Sequence, residues 1–203
     1  MFTGLIEAVG RVESCSSGTL KISTELAEEA REGDSLSVDG SCLTVTSITG
    51  DILSFTCSRE TVSRTVLSHY RAGTGVNLER PLRLDQGLHG HLVTGHVDEA
   101  AQILKIETLA RGKTAWISCS GEGYALLVEK GSVAVSGISL TVAGLVPGRF
   151  SVAVIPETLN RTTAFEWKPG FRVNLEYDII GKYVKKYADS ALSSEGLRRY
   201  LEQ

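Results

Sequence analysis

Apolar and polar residues alternate along short stretches of this chain, which is the pattern of β-strands with one buried face. The alternation is clearest over residues 43–48, and a turn at Gly50-Asp51 separates these from a second run over 52–57. Two stretches of mixed acidic and apolar residues predict short helices, over 25–31 and 60–67. The other strand-like runs of the first half are 5–12, 20–23, 36–38 and 76–79. The pattern indicates an all-β chain.

The chain contains an internal repeat. When residues 40–79 are aligned with residues 137–176 without a gap, 14 of the 40 positions are identical, against about two or three expected by chance. The matching blocks are GSCLTV with GISLTV, ETVSRT with ETLNRT, and GTGVNLE with GFRVNLE. Upstream, FTGLIEA at 2–8 pairs with VTGHVDE at 93–99. One domain has therefore been duplicated in tandem.

Each copy is expected to close into a small barrel, because about six short strands in a flat sheet would leave exposed edges. We predict two homologous, Greek-key-like, six-stranded β-barrels, over residues 1–86 and 87–180, followed by a C-terminal α-helix within 181–203. The helix is indicated by apolar residues at helical spacing, namely Val184, Tyr187, Ala188 and Ala191. This helix could pack on its own barrel or form a subunit contact, and we favour the subunit contact.

Composition excludes several classes of function. The net charge is −3 and the basic residues are spread over both halves, which argues against a nucleic-acid-binding face. No run approaches the roughly 18 apolar residues of a membrane span, and the N-terminus lacks the features of a signal peptide. A cytoplasmic protein is therefore expected. Its four cysteines show no C-x-x-C spacing and are expected to be reduced thiols, namely Cys15, Cys42, Cys57 and Cys119.

A series of short blocks follows a fixed order along the chain. It runs MFTG, GSCLTV, ETVSRT, VNLER, HGHLVTGHVD, GISLTV and PETLNRT. In this order and doubling the chain resembles the riboflavin synthase family, over about residues 1–187. Two positions depart from the family pattern: His89 stands where Gly is more frequent, and Ser136 where Asp is more frequent. The second departure argues against an acidic role just before Gly137.

The resemblance implies an enzyme that makes riboflavin by dismutating two molecules of 6,7-dimethyl-8-ribityllumazine. One molecule gives a four-carbon unit to the other and leaves 5-amino-6-ribitylaminouracil, with no cofactor and no metal. The resemblance also implies a homotrimer joined through its C-terminal helices. Each site then forms between the first barrel of one subunit and the second barrel of a neighbour. An association with lumazine synthase stays open.

Two other classes of protein are alternatives to an enzyme. Lumazine- and flavin-binding antenna proteins resemble the chain, but they tend to lose the second set of binding residues together with the reactive Cys, His and Ser. A structural barrel without a ligand would leave the doubled threonine blocks unexplained. All the reactive positions are present here, so we favour the enzyme.

Residues that recur in both copies are the candidate substrate-binding residues, because both barrels must hold the same heterocycle. Short hydroxyl side chains and backbone amides suit a flat ring with polar edges. The alternative is that the threonines are ordinary strand residues or helix caps. The candidates in the first copy are Gly4, Leu5, Ile6, Cys42, Leu43, Thr44, Thr56, Cys57, Ser58, Arg59, Glu60 and Thr61. Those in the second copy are Gly95, His96, Val97, Lys130, Ser139, Leu140, Thr141, Ala153, Val154, Ile155, Pro156, Glu157 and Thr158.

Positions at which the copies differ are the candidate catalytic residues, because donor and acceptor play different parts. The differences are Cys42 against Ser139, His96 against Leu5, and Lys130 against Glu32 when Gly131 is matched to Gly33. His96 is a natural proton carrier for the donor methyl group, although a lone His is often structural. Cys42 could add to the acceptor as a thiolate or simply fill space as a small apolar side chain.

The remaining catalytic candidates also have two interpretations. Ser139 and Thr141 could orient a water or hydroxide, could hydrogen-bond a developing anion, or are plain polar strand residues. Lys130 could stabilise negative charge on the ring or be solvated. Asp178, by the resemblance, contacts the ribityl or amine region, and otherwise caps the tail helix.

Three histidines have a spacing that could indicate a metal site. His89, His91 and His96 form an H-x-H-x4-H pattern. No carboxylate or cysteine completes a stable ligand set around them, so we predict no metal.

Overall fold

Twelve strands form the framework of the structure, a computed structural model that describes residues 1–16 and 18–192. Those of the first half are β1 Ala8–Ser16, β2 Thr19–Ser23, β3 Ser35–Val38, β4 Ser41–Thr49, β5 Ile52–Thr56 and β6 Gly75–Glu79. Those of the second half are β7 Glu99–Thr108, β8 Lys113–Ser118, β9 Ser132–Val135, β10 Ile138–Val146, β11 Arg149–Val154 and β12 Arg172–Tyr177.

The strands form two closed antiparallel barrels of the same topology. The order is β1-β2-β5-β4-β3-β6 in the first barrel and β7-β8-β11-β10-β9-β12 in the second. In the first barrel β3, β4 and β5 are joined as hairpins and β6 returns to lie beside β3, which is a Greek key. Each barrel has its own apolar core, filled by alternate strand residues such as Phe55 and Phe150. The predicted fold class is confirmed.

Four α-helices lie within the described residues: α1 Arg59–Arg64, α2 Gly121–Tyr124, α3 Pro156–Arg161 and α4 Ile179–Leu192. The predicted helix over 60–67 was too long. It ends at Arg64 because Thr65 is extended and its side chain accepts from Leu67 N, which starts a separate 3-10 turn. The predicted helix over 25–31 is only a 3-10 turn, Glu25–Glu28, capped by Thr24.

The predicted strand over 5–12 was wrong at its start, since β1 begins at Ala8. The residues before it leave the sheet because Thr3 and Gly4 donate hydrogen bonds to the buried carboxylate of Glu79. Three strong donors outweigh the weak strand propensity of an apolar pair such as Leu5-Ile6.

The predicted tail helix is present as α4 and presents its apolar side to solvent on this chain. Val184 and Tyr187 are 63% and 69% exposed, and Ile180 and Tyr183 are also exposed. The helix is tied to the second barrel by an ion pair of 2.7 Å between Lys182 and Asp98. Packing of the apolar stripe on its own barrel, one of the two interpretations, is therefore not observed. Residues 193–203 of the predicted tail lie outside the described residues. None of the described helices is long and apolar enough to cross a membrane.

The two barrels contact each other through equivalent residues. Asn77 of β6 donates to Ser136 O at 2.8 Å and accepts from Thr163 N at 2.8 Å. Asn174 of β12 makes the two equivalent bonds to the first barrel: it donates to Asp39 O at 2.8 Å and accepts from Val66 N at 2.9 Å. Both amides are buried, so each is fully satisfied only while the barrels are together.

At the centre of this contact the backbones touch at Gly40 and Gly137. A Cβ on Gly40 would lie 2.8 Å from Gly137 N, and a Cβ on Gly137 would lie 2.8 Å from Gly40 N. Both residues also have positive φ, at +83° and +79°. Glycine is required on both sides of this contact.

The copies differ at the buried residue just before these glycines. The Asp39 carboxylate accepts from Tyr70 Oη at 2.6 Å and from Asn77 N at 2.8 Å. In the second copy Ser136 stands there, and its Oγ accepts from a backbone N–H of β12 at 3.3 Å. Trp167 replaces the tyrosine, and its Nε1 is buried without a partner among the described residues. The acid at this position thus exists only in the first copy.

We expect Asp39 to make stability depend on pH. Burial raises the pKa of Asp39 from 3.8 to about 7, although the hydrogen bonds from Tyr70 and Asn77 lower it. The folded protein keeps a proton that the unfolded chain releases, so stability falls as the pH rises from about 4 to about 7. Asp39→Asn should remove about 3 kcal/mol of this fall between pH 4.5 and 7.5.

Urea unfolding at the two pH values tests this, because Asn keeps the size of Asp and tolerates positive φ. The matched control is Asp85→Asn, at an exposed carboxylate, which should keep the wild-type dependence. An unchanged pH dependence in Asp39→Asn would contradict the assignment.

Candidate active site

Two short segments, residues 3–6 and 94–97, are each held by a buried glutamate. Thr3 N and Oγ1 donate to one carboxylate oxygen of Glu79 at 2.6 and 2.7 Å, and Gly4 N donates to the other at 2.9 Å. The same three bonds, with the same lengths, join the equivalent residues of the second copy to Glu176. Burial raises the pKa of Glu79 by more than these hydrogen bonds lower it.

Each segment then crosses to the other barrel. Gly95 O accepts from Cys42 N at 2.8 Å, and Gly4 O accepts from Ser139 N at 2.9 Å. A Cβ on either glycine would lie 2.5 Å from the Cβ of the residue it contacts. Each copy of the repeat therefore supplies a segment to the site of the other copy, and the residues that these segments contact, Cys42 and Ser139, are one of the positions where the copies differ.

The first half-site is a cleft of about 250 Å³ on the first barrel. It brings together seven of the predicted residues: Cys42, Ser58, Glu60, Thr61, Gly95, His96 and Val97. Ser41, Arg64 and Thr65, which sequence reasoning did not select, complete the lining. Cys42 and His96 are both exposed here, so a thiol and an imidazole share one cleft.

The threonine block of the first half-site also has a structural role. Ser58 Oγ caps α1 by accepting from Thr61 N at 3.0 Å, and the two hydroxyl oxygens lie 2.8 Å apart. In the second copy Ile155 replaces the serine, and α3 begins at Pro156 without a side-chain cap. The cap of α1 is thus Ser58, to which the helix-cap interpretation had not been applied, and neither Thr61 nor Thr158 caps its helix.

The second half-site is the corresponding surface of the second barrel, formed by residues 4–6 and 139–141 with His91 and Asp178. Ser139 Oγ lies 2.7 Å from His91 Nδ1. His91 is only 8% exposed, and its backbone N donates to Thr3 O at 3.1 Å. Sequence reasoning considered His91 only as a metal ligand and missed this contact. The available signal was its place in the segment between the aligned blocks of the two copies.

Asp178 caps the tail helix, which is one of the two interpretations made for it, whereas its contact with the ribityl or amine region of a substrate stays a prediction. Its Oδ1 accepts from Ile180 N at 2.9 Å, which caps the start of α4. Its charge also acts on His91: burial lowers the pKa of His91, and the Asp178 carboxylate opposes this more weakly. The imidazole is therefore neutral near neutral pH.

The alignment of Lys130 with Glu32 was wrong by one residue. Lys130 N donates to Val142 O at 2.9 Å, as Gly33 N donates to Val45 O at 2.9 Å, and both residues have positive φ. Lys130 is thus the counterpart of Gly33, at the same offset of 97 that relates residues 40–79 to residues 137–176. Matching glycine to glycine was misleading because the left-handed position holds Gly in one copy and Lys in the other. Its side chain is exposed beside β10.

Because side chains alternate between the two faces of a strand, some of the other predicted residues face the barrel cores and others face the surface. Four side chains point into the barrel cores rather than the half-sites, namely Leu43, Cys57, Leu140 and Val154. Burial raises the pKa of Cys57 to about 11, so this thiol stays protonated. Exposed beside the half-sites are Leu5, Thr44, Thr56, Arg59, Thr141, Ala153, Ile155, Pro156 and Glu157, while Thr158 is half-buried. Ile6 packs against the core of the second barrel.

The three histidines do not converge on one point. His91 and His96 lie in different half-sites, and His89 is exposed on the linking segment. Within residues 1–16 and 18–192, no group of three or more His, Cys, Asp or Glu side chains is placed to hold a metal ion.

Comparison with known proteins identifies the class first. The lumazine binding domain family matches the chain twice, over residues 3–81 and 94–178. The crystal structure of LumP complexed with riboflavin has the same fold, with a TM-score of 0.80 and 21% identity over 87% of this chain and 99% of that chain. The fold and the two half-sites thus define a protein with two lumazine-binding domains in tandem.

Curated relatives narrow the class. Riboflavin synthase from Bacillus subtilis (strain 168) is 37% identical and covers 94% of this chain and 91% of that protein. Riboflavin synthase from Photobacterium phosphoreum is 35% identical, over 92% of this chain and 88% of that protein. Riboflavin synthase from Escherichia coli (strain K12) is 34% identical, over 88% and 87%. The chain belongs to the riboflavin synthase family.

Proposed function

We propose that this chain is a riboflavin synthase, a transferase that dismutates two molecules of 6,7-dimethyl-8-ribityllumazine to riboflavin and 5-amino-6-ribitylaminouracil. One observation carries the proposal: the two half-sites share a backbone frame but differ in their reactive side chains. A shared frame suits two identical substrates, and different side chains suit their different parts as donor and acceptor. The two products together contain the atoms of two substrates, so the reaction needs no oxidant or reductant.

The first half-site offers groups for proton transfer and for addition. The donor lumazine must lose a proton from its C7 methyl group, and the imidazole of His96 is suited to accept it near neutral pH. Cys42 lies in the same cleft, where its exposed thiol is accessible to a bound ring. Which of the two half-sites holds the donor stays open in the proposal.

The second half-site offers hydroxyl groups for the other substrate. Ser139 and Thr141 are two residues apart on β10, so their side chains lie on the same face of the strand. Thr141 is exposed, and Lys130 lies nearby through its hydrogen bond to the strand. These groups suit a ring whose developing charge and attacking nucleophile both need hydrogen bonds.

We further propose that complete sites form between chains of a homotrimer. The exposed apolar side of α4 supports this, because Ile180, Tyr183, Val184 and Tyr187 form one stripe that residues 1–16 and 18–192 leave uncovered. A neighbouring chain would then bring its second half-site to the first half-site of this chain. A cytoplasmic location and an association with lumazine synthase remain predictions, the former in keeping with four unpaired cysteine thiols.

The function is tested by incubating the purified chain with 6,7-dimethyl-8-ribityllumazine and following riboflavin absorbance and fluorescence. Riboflavin and 5-amino-6-ribitylaminouracil should appear in equal amounts without added metal or cofactor. A bound chromophore without product would instead support an antenna protein. The absence of both binding and product would indicate a structural protein without a ligand.

We expect His96 and its counterpart Leu5 to differ strongly in their effect on turnover. His96→Ala should lower kcat by about 100-fold, because it removes the proton carrier of the first half-site. Leu5→Ala, at the equivalent position of the second half-site, serves as the matched control and should lower kcat far less. Steady-state kinetics at equal protein stability measures both. Comparable losses would contradict a chemical role of His96.

A further inference from the structure

The second half-site has Leu5 at the position where the first half-site has the imidazole of His96. The proposed reaction needs proton transfer in two directions, because methyl carbons lose protons and the nitrogen atoms of 5-amino-6-ribitylaminouracil gain the same number. The side chain of Leu5 cannot carry a proton. A proton carrier in the second half-site must therefore be another residue that lies close to Leu5.

His89 lies at the edge of the second half-site. It lines a cleft of about 330 Å³ together with Thr3 and Leu5. The next residue, Gly90, packs between the two sides of the half-site: a Cβ on it would lie 1.9 Å from Thr3 O and 3.1 Å from Ser139 Cβ. The chain therefore brings His89 next to the residue that replaces the imidazole of the first half-site.

The ring of His89 is packed over the backbone of Gly87. A Cβ on Gly87 would lie 2.9 Å from His89 Nε2 and 3.2 Å from His89 Cε1, so a larger residue there would displace the ring. Gly87 lines the same cleft as Leu5, so the ring lies on the side of the cleft. His89 is exposed, and within residues 1–16 and 18–192 its ring has no hydrogen-bond partner. Both ring nitrogens are thus available to a bound molecule.

Three other titratable groups line this cleft, and each of them is already bonded. Glu79 holds the N-terminal segment through its three hydrogen bonds. Arg80 Nε donates to Glu7 Oε2 at 2.7 Å, which engages the other two groups. An imidazole can take up or release a proton near neutral pH, so His89 is the group of this cleft that is suited to proton transfer.

We propose that His89 is a catalytic residue of the second half-site, where it exchanges a proton with the bound lumazine. The proposal rests on the function proposed above. His96 and His89 then act as a pair: one ring takes a proton from a methyl carbon, and the other gives a proton to a nitrogen. Exchange with water returns both rings to their starting state, so no proton is gained or lost. The pair works whichever half-site binds the donor.

Chemical rescue tests the proton transfer. His89→Gly should lower kcat by about 100-fold, and added imidazole should restore part of the loss because it can enter the space that the ring vacates. His89→Gln keeps a hydrogen-bonding group but cannot carry a proton, so it should be as slow as His89→Gly. The matched control is His69→Gly, at an exposed histidine that lies 3.1 Å from Ser68 Oγ, and it should keep the wild-type kcat.

A role in binding or folding alone gives a different pattern. Either an unchanged kcat with a raised KM, or a loss that Gln repairs and imidazole does not, would overturn the proposal. The unfolding free energy of each variant identifies a loss that comes from reduced folding.

NMR of the histidine rings tests the contact without turnover. In the slow His96→Ala variant, 6,7-dimethyl-8-ribityllumazine should shift the ring signals of His89, assigned by their loss in His89→Gly, and should leave those of His69 in place. Unshifted His89 signals in protein that binds the lumazine would overturn the proposal. If the wild-type chain makes no riboflavin, the proposed function fails, and the NMR measurement still decides whether His89 contacts the lumazine.

Discussion

Replacing Glu176 with alanine should remove nearly all riboflavin formation and destabilise the protein. Its carboxylate accepts from Thr94 N, Thr94 Oγ1 and Gly95 N, and the substitution leaves these three donors without an acceptor. Each buried, unsatisfied donor costs about 1–3 kcal/mol, so a loss of at least about 3 kcal/mol is expected. His96 follows directly in this segment, and a displacement of about 1 Å at a reacting group costs about 100-fold in rate.

The mirror variant and a surface control make the result specific. Glu79→Ala removes the same three bonds from the N-terminal segment, so it should be equally destabilising. It should displace the segment that contacts Ser139 rather than the segment that carries His96. Glu107→Ala, at an exposed ion pair with Lys105, should change neither stability nor turnover. Urea unfolding and kcat/KM of the folded fraction are the measurements. Normal turnover in Glu176→Ala would show that His96 is positioned by other contacts.

The second large effect is expected from the tail helix. If the proposed homotrimer forms through this helix, replacing both Val184 and Tyr187 by glutamate should convert it to single chains and lower turnover by at least about 100-fold. In a helix-to-helix contact each buried carboxylate costs several kcal/mol, which exceeds what a small interface can supply. Because the half-sites of different chains are proposed to meet, single chains should still bind riboflavin but not form it.

Sedimentation velocity and the fluorescence assay measure the two consequences in one sample. Lys185→Gln is the control, because it breaks the pair with Asp189 on the polar side of α4 and leaves the apolar stripe intact. A single-chain variant with normal turnover would show that one chain holds a complete site.

The fold was largely predictable because the same pattern of strands occurs in both copies of the repeat. The alternation over 43–48 recurs at 140–145 in the aligned block, and two copies of one pattern are stronger evidence than either alone. The errors occur where a tertiary contact overrides local propensity. Glu79 draws residues 3–4 out of the expected strand, and Thr65 interrupts the expected helix with its own cap.

The half-sites were predictable in part, for a different reason. Alignment of the copies identifies equivalent residues, such as Gly4 and Gly95, but it cannot tell which barrel each one touches. The crossing of the two segments is a property of the packing between barrels, so the meeting of His96 with Cys42 was not predictable. His91 lies outside the aligned blocks of the repeat, so a comparison of the copies could not identify it as a site residue.

The crossing of the segments has a consequence for synthesis on the ribosome. Phe2 and Thr3 emerge before their partners, which are Glu79 and residues 91–93, yet they end fully or almost fully buried. Gly4 meets Ser139 only after 135 more residues (139 − 4) have been added, which takes roughly ten seconds at bacterial elongation rates. The first barrel likewise lacks part of its cleft until Gly95 arrives. The nascent first half therefore lacks contacts that only the second half supplies.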